Sequence, residues 1–411
     1  MPSVADARTS REQVRIAHLG LGHFHRAHQA WYTQCANALS ADHGAADGWG
    51  IAAFTGRSPR AAEVLAAQDG VYTLITRSAD GDRAEVIQSI SAAYDGAGEH
   101  WESTLARPEV AVLTVTVTER GYDPDPARSA ASRQAHSPAS AESAGARIAR
   151  GLLARARASA GPIALVSCDN LNGNGDALRA AVLREADDEL ASWIASNASF
   201  VSTMVDRITP ATTDADRAVA RDLTGYDDAA PVVTEPFSEW VVAGEFPAGR
   251  PAWDRVGVTF VHDIEPYERR KLWLLNAGHT LLAAVGLAQG FETVDQAFAD
   301  AGCRELLEEQ WAEARVELPF DASTTDAFLA DLRTRFANPR IAHRLAQIDD
   351  GSLQKLRQRQ VEIIQARLEA GADPGTASLT AIRAWGRSRG LDLSEALDAL
   401  KPGLARRVGE S

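Results

Sequence analysis

At 411 residues, with 45% hydrophobic and 24% charged residues, the chain has the balance of a globular protein but more length than one ordinary core uses, so two domains are expected. A net charge of −14 argues against a nucleic-acid or anionic-membrane partner, since both need a basic surface. No apolar run approaches the roughly 18 residues that span a bilayer, the start Met1-Pro-Ser-Val-Ala-Asp lacks the features of a signal peptide, and the widely separated Cys35, Cys168 and Cys303 offer neither a disulfide framework nor a CxxC metal site. The expectation is a cytoplasmic protein with reduced thiols and no membrane partner.

In chain order, Val14-Arg-Ile-Ala-His-Leu-Gly20 reads as a buried strand entering a glycine turn, followed by a helix over 27–39. Further strands are expected at 49–54, 71–76, 86–94, 110–118, 163–168 and 200–205, with helices at 59–68, 144–160 and 176–195. This alternation implies an α/β fold with a doubly wound, largely parallel, Rossmann-like sheet. The Ser-, Ala- and Pro-rich stretch 123–143 reads as a surface loop. Beyond residue 264 the pattern is helix upon helix: 267–287, 293–298, 304–315, 323–335, 341–348, 355–370, 377–387 and 393–400. The expected division is therefore 1–263, a Rossmann-like α/β domain, and 264–411, a mostly α-helical domain. No internal repeat is visible.

Two stretches carry chemistry. Gly20-Leu-Gly22-His-Phe-His25 sits where a dinucleotide fingerprint belongs, its glycines permitting a tight turn and close approach to a pyrophosphate. His25 replaces the third glycine, so an ordinary strand-to-helix turn and an S-adenosylmethionine loop remain open. His23, His25 and His28 form an HxHxxH spacing, but no nearby Cys or acidic residue completes a zinc set, and no metal is expected. After the second strand, Phe54-Thr-Gly-Arg57 lacks the acidic residue that favours NAD; Arg57 and Arg60 are placed either to meet a 2′-phosphate, which leaves NADP open, or to sit in solvent.

The second stretch is Lys271-Leu-Trp-Leu-Leu-Asn276-Ala-Gly-His279. At ~100° per residue, Lys271, Asn276 and His279 project at about 0°, 140° and 80° on an α-helix, and Glu268 falls in the same arc. An amine that exchanges a proton, beside two groups that hydrogen-bond oxygen, suits oxidation of an alcohol or reduction of a ketone. The competing reading is a polar helix face.

These residues resemble the polyol-specific long-chain dehydrogenases, the family of mannitol 2-dehydrogenase, fructuronate reductase and tagaturonate reductase. The resemblance runs in order through Gly20-Leu-Gly-His-Phe-His-Arg-Ala-His-Gln29, Ala66-Ala-Gln-Asp-Gly-Val-Tyr72, Thr116-Val-Thr-Glu-Arg-Gly-Tyr122, Ser167-Cys-Asp-Asn170, Met204-Val-Asp-Arg-Ile-Thr-Pro210, Thr234-Glu-Pro-Phe, Phe246-Pro-Ala-Gly-Arg-Pro and the Lys271 segment. It implies Lys271 as general acid and base, its pKa lowered by burial. Asn276 and Asn170 would bond the reacting oxygen, with His279 holding the lysine or a substrate oxygen and Glu268 linking the lysine to solvent. Asp206 would accept substrate hydroxyls, unless it serves as a salt bridge to Arg207 or a loop cap.

Asn338-Pro-Arg-Ile-Ala-His343-Arg344, continuing to Lys355, is similar to the block that lines the far side of the family's pocket, in its hexuronate form. His343, Arg344 and Lys355 would then contact a carboxylate or sugar hydroxyls, or form a solvated face. The cofactor, NAD with NADP possible, would lie on Gly20, Gly22, Phe24, Arg26, Arg57 and Thr116. The implied activity is a metal-independent, NAD(P)-dependent secondary-alcohol dehydrogenase acting on a linear polyol or sugar acid. It would work as a monomer or small homo-oligomer. Gly351-Ser-Leu stands where Asp-Gly-Ser is usual, and Asn276-Ala-Gly-His279 departs from the family's Asn-Gly/Ser-Ser-His. A phosphorylated-polyol dehydrogenase would use Arg344, Lys355 and Arg357 as a phosphate cluster. A non-catalytic nucleotide-binding protein and a methyltransferase are the rivals from other classes.

Overall fold

The computed structural model describes residues 1–42, 48–56, 58–117 and 142–409. Arg57 and most of the expected loop 123–143 lie outside them. The chain falls into two compact units, Met1–Ile264 and Glu265–Ser411.

The first unit is built on an eight-stranded sheet. In chain order the strands of the unit are β1 (Val14–Leu19), β2 (Gly50–Phe54), β3 (Tyr72–Ser78), β4 (Gly81–Ile87), β5 (Ile90–Tyr94), β6 (Val112–Val115), β7 (Ile163–Ser167), β8 (Ala198–Asp206), β9 (Val232–Thr234), β10 (Glu239–Ala243) and β11 (Thr259–Val261). The large sheet runs β11-β10-β8-β7-β6-β1-β2-β5, and β4-β3-β9 form a second sheet. From β5 to β8 every pairing is parallel; β10 is antiparallel to β8. Strands buried on both faces explain the near-continuous apolar runs. In β1, Ile16 belongs to the core on one face, and Ala17 and Leu19 to the core on the other. The helix Ala144–Arg157 packs its Ile148 and Leu152 into that second core.

Because β1 is flanked by β2 and β6, the winding reverses direction at β1, and a crevice opens outside the carboxyl ends of β1 and β6. Gly20 and Thr116 stand there. Asn170 follows β7 and Asp206 ends β8, so the parallel strands bring all four to one edge of the sheet.

Several expected elements are divided. The apolar stretch 86–94 contains the end of β4 and all of β5, which belong to different sheets, with Ser89 Oγ donating to the Ala30 carbonyl at the break. The helix expected over 27–39 is His23–Ala27 followed by Gln29–Asp42, with His28 at φ −123°, ψ −87° between them. The helix expected over 176–195 is Asn174–Leu183 and Asp188–Asn197, because the Asp187 side chain caps a new helix start.

The second unit is helical. The helix expected over 267–287 is an α-helix Glu265–Arg270, a π-helix Lys271–Asn276 and an α-helix Ala277–Ala288. Around it pack, among others, Ala301–Arg315, Ala322–Phe336, Ser352–Gln358, Gln360–Glu369 and Thr376–Arg387. The expected helix 355–370 is broken at Arg359 (φ −124°, ψ −87°), and 341–348 is a 3-10 turn Pro339–Ile341 and a helix Leu345–Asp349.

Candidate active site

The nucleotide half is a property of the first unit. Gly20 has φ +112°, and a Cβ there would lie 2.2 Å from the Thr116 carbonyl oxygen, so only glycine fits. Thr116 closes the crevice from β6: its amide donates to the Leu19 carbonyl (2.9 Å) and its Oγ1 to the Gly20 carbonyl (2.9 Å). A Cβ on Gly22 would meet nothing nearer than 3.6 Å, so the space over that residue is open. Arg26 does not project as a free cation. Its Nε donates to the Gly22 carbonyl (3.3 Å) and its Nη1 to the Ala230 carbonyl (2.5 Å), while the Tyr72 hydroxyl donates to the Arg26 carbonyl (2.6 Å). It shapes the turn from below. Phe24 is half-buried and stacks on His28 at 4.9 Å.

Beside the turn lies a cavity of about 1070 Å³, reached by Leu21, His23, Arg26, Thr55, Gly56 and Arg60. Thr55 and Gly56 follow β2 without a carboxylate, and the Thr55 hydroxyl donates to Asp95 (3.1 Å). An open glycine over a pinned turn, with a cavity at the end of β2, fits a dinucleotide.

The three histidines of HxHxxH are dispersed. His23 is exposed. His25 is buried and stacked 3.3 Å from His18, and His28 Nε2 bonds the Glu239 carbonyl (3.0 Å). Among the described residues no cluster of three or more His, Cys, Asp or Glu is arranged to hold a metal. Burial lowers His18 to about 3, and burial together with His18 holds His25 well below its ordinary value. Neutral His18 links Thr114 Oγ1 (2.9 Å) to Thr116 Oγ1 (3.3 Å), a support for the turn absent from the sequence analysis above. A histidine inside an apolar strand was its signal.

At the same sheet edge, Asp169 orders the turn that carries the exposed Asn170, accepting from Ser167 Oγ (2.8 Å) and the Leu171 amide (3.0 Å). Asp206 is 5% exposed. The adjacent Arg207 sends its Nη1 to the Ala27 carbonyl (2.5 Å) and stacks over Trp31.

The chemical half belongs to the second unit. In the π-helix the Ala277 amide bonds the Leu272 carbonyl, an i→i+5 step, so a residue sits about one turn above the one five before it. Lys271 and Asn276 therefore share a face, where an ideal α-helix would separate them by about 140°. His279 follows one α-turn later, 8% exposed, with its ring 4.5 Å from Phe336 and 4.8 Å from His343. Glu268 is 9% exposed on the preceding helix.

Basic side chains gather around His279. Burial, then His343, Arg335 and Arg359, hold it well below its ordinary pKa; burial, then Lys355 and Arg335, lower His343; burial, then Arg359, lowers Lys355. Lys355 Nζ donates to the Ile348 carbonyl (2.8 Å). Arg344 is exposed, at the start of the helix Leu345–Asp349. Arg357 turns away, donating to the Leu400 and Ala399 carbonyls (both 2.8 Å), so it is not available to the expected phosphate cluster. One sequence signal went unread: the chain has three lysines among 42 basic residues, and two of them, Lys271 and Lys355, stand here. Lysine differs from arginine in that burial shifts its pKa readily, which suits it to proton exchange.

Residues 14–255 match the mannitol dehydrogenase Rossmann domain, and residues 263–385 the mannitol dehydrogenase C-terminal domain. The chain belongs to the mannitol dehydrogenase family of oxidoreductases. It is 34% identical to a D-mannonate oxidoreductase of Escherichia coli K12, over 96% of this chain and 84% of that one. It is 36% identical to a mannitol 2-dehydrogenase of Cereibacter sphaeroides, over 80% and 71%. Among solved structures, the Pseudomonas fluorescens mannitol 2-dehydrogenase in ternary complex with NAD and D-mannitol superposes with a TM-score of 0.76 at 32% identity, covering 96% of this chain and 80% of that one. A substrate-free D-sorbitol dehydrogenase gives 0.80 at 26%, covering 97% and 82%. Among the described residues, no helix is long and apolar enough to cross a membrane.

Proposed function

We propose that this chain is an NAD-dependent secondary-alcohol dehydrogenase that interconverts a linear sugar acid or polyol and its keto form, with residues 1–263 binding the nucleotide and 264–411 the substrate. The observation that carries the reading is the π-helical register of Lys271 and Asn276, with His279 one turn on. When bound, the nicotinamide supplies the hydride acceptor or donor. Gly20, Gly22 and Thr116 would hold it through the turn, with Arg26 supporting the turn and Phe24 beside it; Arg57, assigned from its place after β2, lies outside the described residues.

The chain's own residues handle the proton and the charge. In oxidation Lys271 Nζ, as free base, takes the hydroxyl proton while the C–H hydrogen leaves as hydride and the C=O bond forms; in reduction the ammonium returns the proton. Asn276 and Asn170 donate to the reacting oxygen as its negative charge develops. His279 orients the lysine, Glu268 passes its proton toward water, and Asp206 accepts substrate hydroxyls. No step requires a metal.

A carboxylate-bearing substrate is favoured over a neutral polyol by the cations about His279, namely Lys355, Arg335 and Arg359, and by the similarity to a D-mannonate oxidoreductase. Arg344, at the exposed rim, is assigned to the same end of the substrate. The test is NADH and NADPH turnover with D-mannonate, fructuronate, tagaturonate, D-mannitol and fructose in the presence of EDTA. Turnover of a sugar acid with NAD supports the whole reading. Faster turnover of mannitol makes Lys355 and Arg344 hydroxyl contacts, a preference for NADPH assigns Arg60 to a 2′-phosphate, and loss of activity in EDTA overturns the metal-free mechanism.

A further inference from the structure

A π-helical turn is rarer than an α-helical one and persists only where the surroundings hold it. Here the hold is visible. The Trp311 indole, on the helix Ala301–Arg315, donates to the Leu274 carbonyl (2.9 Å). Arg359 Nη1 donates to the Asn276 carbonyl (3.1 Å) and to Thr280 Oγ1 (2.6 Å), and that hydroxyl bonds back to the same carbonyl (3.1 Å). Gln360 Nε2 donates to the Ala277 carbonyl (2.8 Å). Three carbonyls within four residues, spanning the passage from π to α, thus accept side-chain donors from two other helical segments. Trp311 is 1% exposed and Gln360 fully buried, so water does not replace these donors.

We propose that Trp311, Arg359 and Gln360 are positioning residues that lock the Lys271–Asn276 segment in its π register and so keep the amine and the carboxamide on one face. The proposal rests on the reading of Lys271 and Asn276 given above. Relaxation of the turn to α geometry would swing Asn276 away from Lys271 toward the ~140° separation of an ideal α-helix while leaving the rest of the fold in place. The break at Arg359 serves the same end: its non-helical backbone turns the guanidinium toward Asn276 and starts the next helix with Gln360 facing Ala277.

The test uses the full chain with Trp311→Phe, Arg359→Met and Arg359→Lys. Trp311→Phe keeps an aromatic, though smaller, ring and all charges and removes one N–H donor, so it reads geometry without a change of charge; Arg359→Lys retains a donor and the charge. One measurement is kcat and its pH profile. The other is trace labelling of the lysine amines with acetic anhydride against pH, read by mass spectrometry, which needs no turnover. Exposed Lys401 is the internal control.

Expected for Trp311→Phe and Arg359→Met is a fall in kcat of about 10- to 100-fold with nucleotide affinity retained. The Lys271 labelling profile should move while that of Lys401 does not, and Arg359→Lys should recover part of both. A Trp311→Phe protein with a native circular-dichroism spectrum, wild-type kcat and an unmoved Lys271 profile overturns the proposal. Absence of turnover in the wild-type protein would instead overturn the functional reading, and the labelling would still decide the role of the π-turn donors. Should Trp311→Phe fail to fold, Arg359→Lys against Arg359→Met decides: equal profiles in the two, both like wild type, overturn it.

Discussion

Gly20 shows how one residue fixes a turn. Its φ of +112° and the 2.2 Å that would separate a Cβ from the Thr116 carbonyl leave an alanine no room. Gly20→Ala should cost about 1–3 kcal/mol of stability through backbone strain and the displaced β6 end, and should weaken NADH binding at least tenfold; calorimetric melting and fluorescence titration check both. Lys271→Ala makes the complementary case. It should lower kcat by about 10²- to 10⁴-fold, the usual share of a general acid or base, with nucleotide affinity changed only a few fold. Near-normal rates in that variant at any pH would remove the lysine from the mechanism.

Elements explain why these residues were legible in unequal measure. The strand-turn-helix at Gly20 was readable because a buried run entering two glycines has few other solutions. The i, i+5, i+8 spacing put Lys271, Asn276 and His279 in one arc able to border a single cavity, with about 140° between the first two on an α-helix; the π register, set by donors distant in sequence, narrows that gap. β9, β10 and β11 were missed since three to five residues between turns carry little periodicity, and 86–94 was joined because an apolar run does not announce a change of sheet. The phosphate cluster failed for a similar reason: Arg357 is near Lys355 in sequence, yet it caps the helix Leu393–Leu400. The cation group on the second unit carries its own prediction. Lys355→Met should raise KM for D-mannonate by about 10- to 100-fold, the worth of one charge-assisted hydrogen bond, and leave KM for D-mannitol nearly unchanged. Equal effects on both would make Lys355 a contact to hydroxyls.

On the scale of the whole molecule, burial of histidine ties stability to pH. His18, His25, His279 and His343 are all lowered, with burial the first cause in each. A depressed histidine takes its proton more readily in the unfolded chain, so its contribution is complete above about pH 6.5 and is lost as pH falls toward the folded value. For His18, lowered to about 3, that amounts to about 2 kcal/mol by pH 5. Glu313 and Glu362, raised by burial, act in the opposite sense, and the histidines outnumber them. The melting temperature should therefore fall steadily from pH 7 to pH 5; a flat or rising profile would contradict the buried neutral state of these rings.

The central claim is that Lys271, held in register with Asn276, moves the proton in oxidation and reduction of a sugar acid or polyol. Its most direct measurement is NADH absorbance during D-mannonate oxidation by the wild-type chain and by Lys271→Ala, across pH and in EDTA. The account predicts turnover by the wild type that rises with pH as the amine is freed, insensitivity to EDTA, and no such limb in Lys271→Ala. A wild-type chain that binds NADH yet turns over neither D-mannonate nor any polyol of the panel, or an alanine variant with the same pH profile, would contradict it.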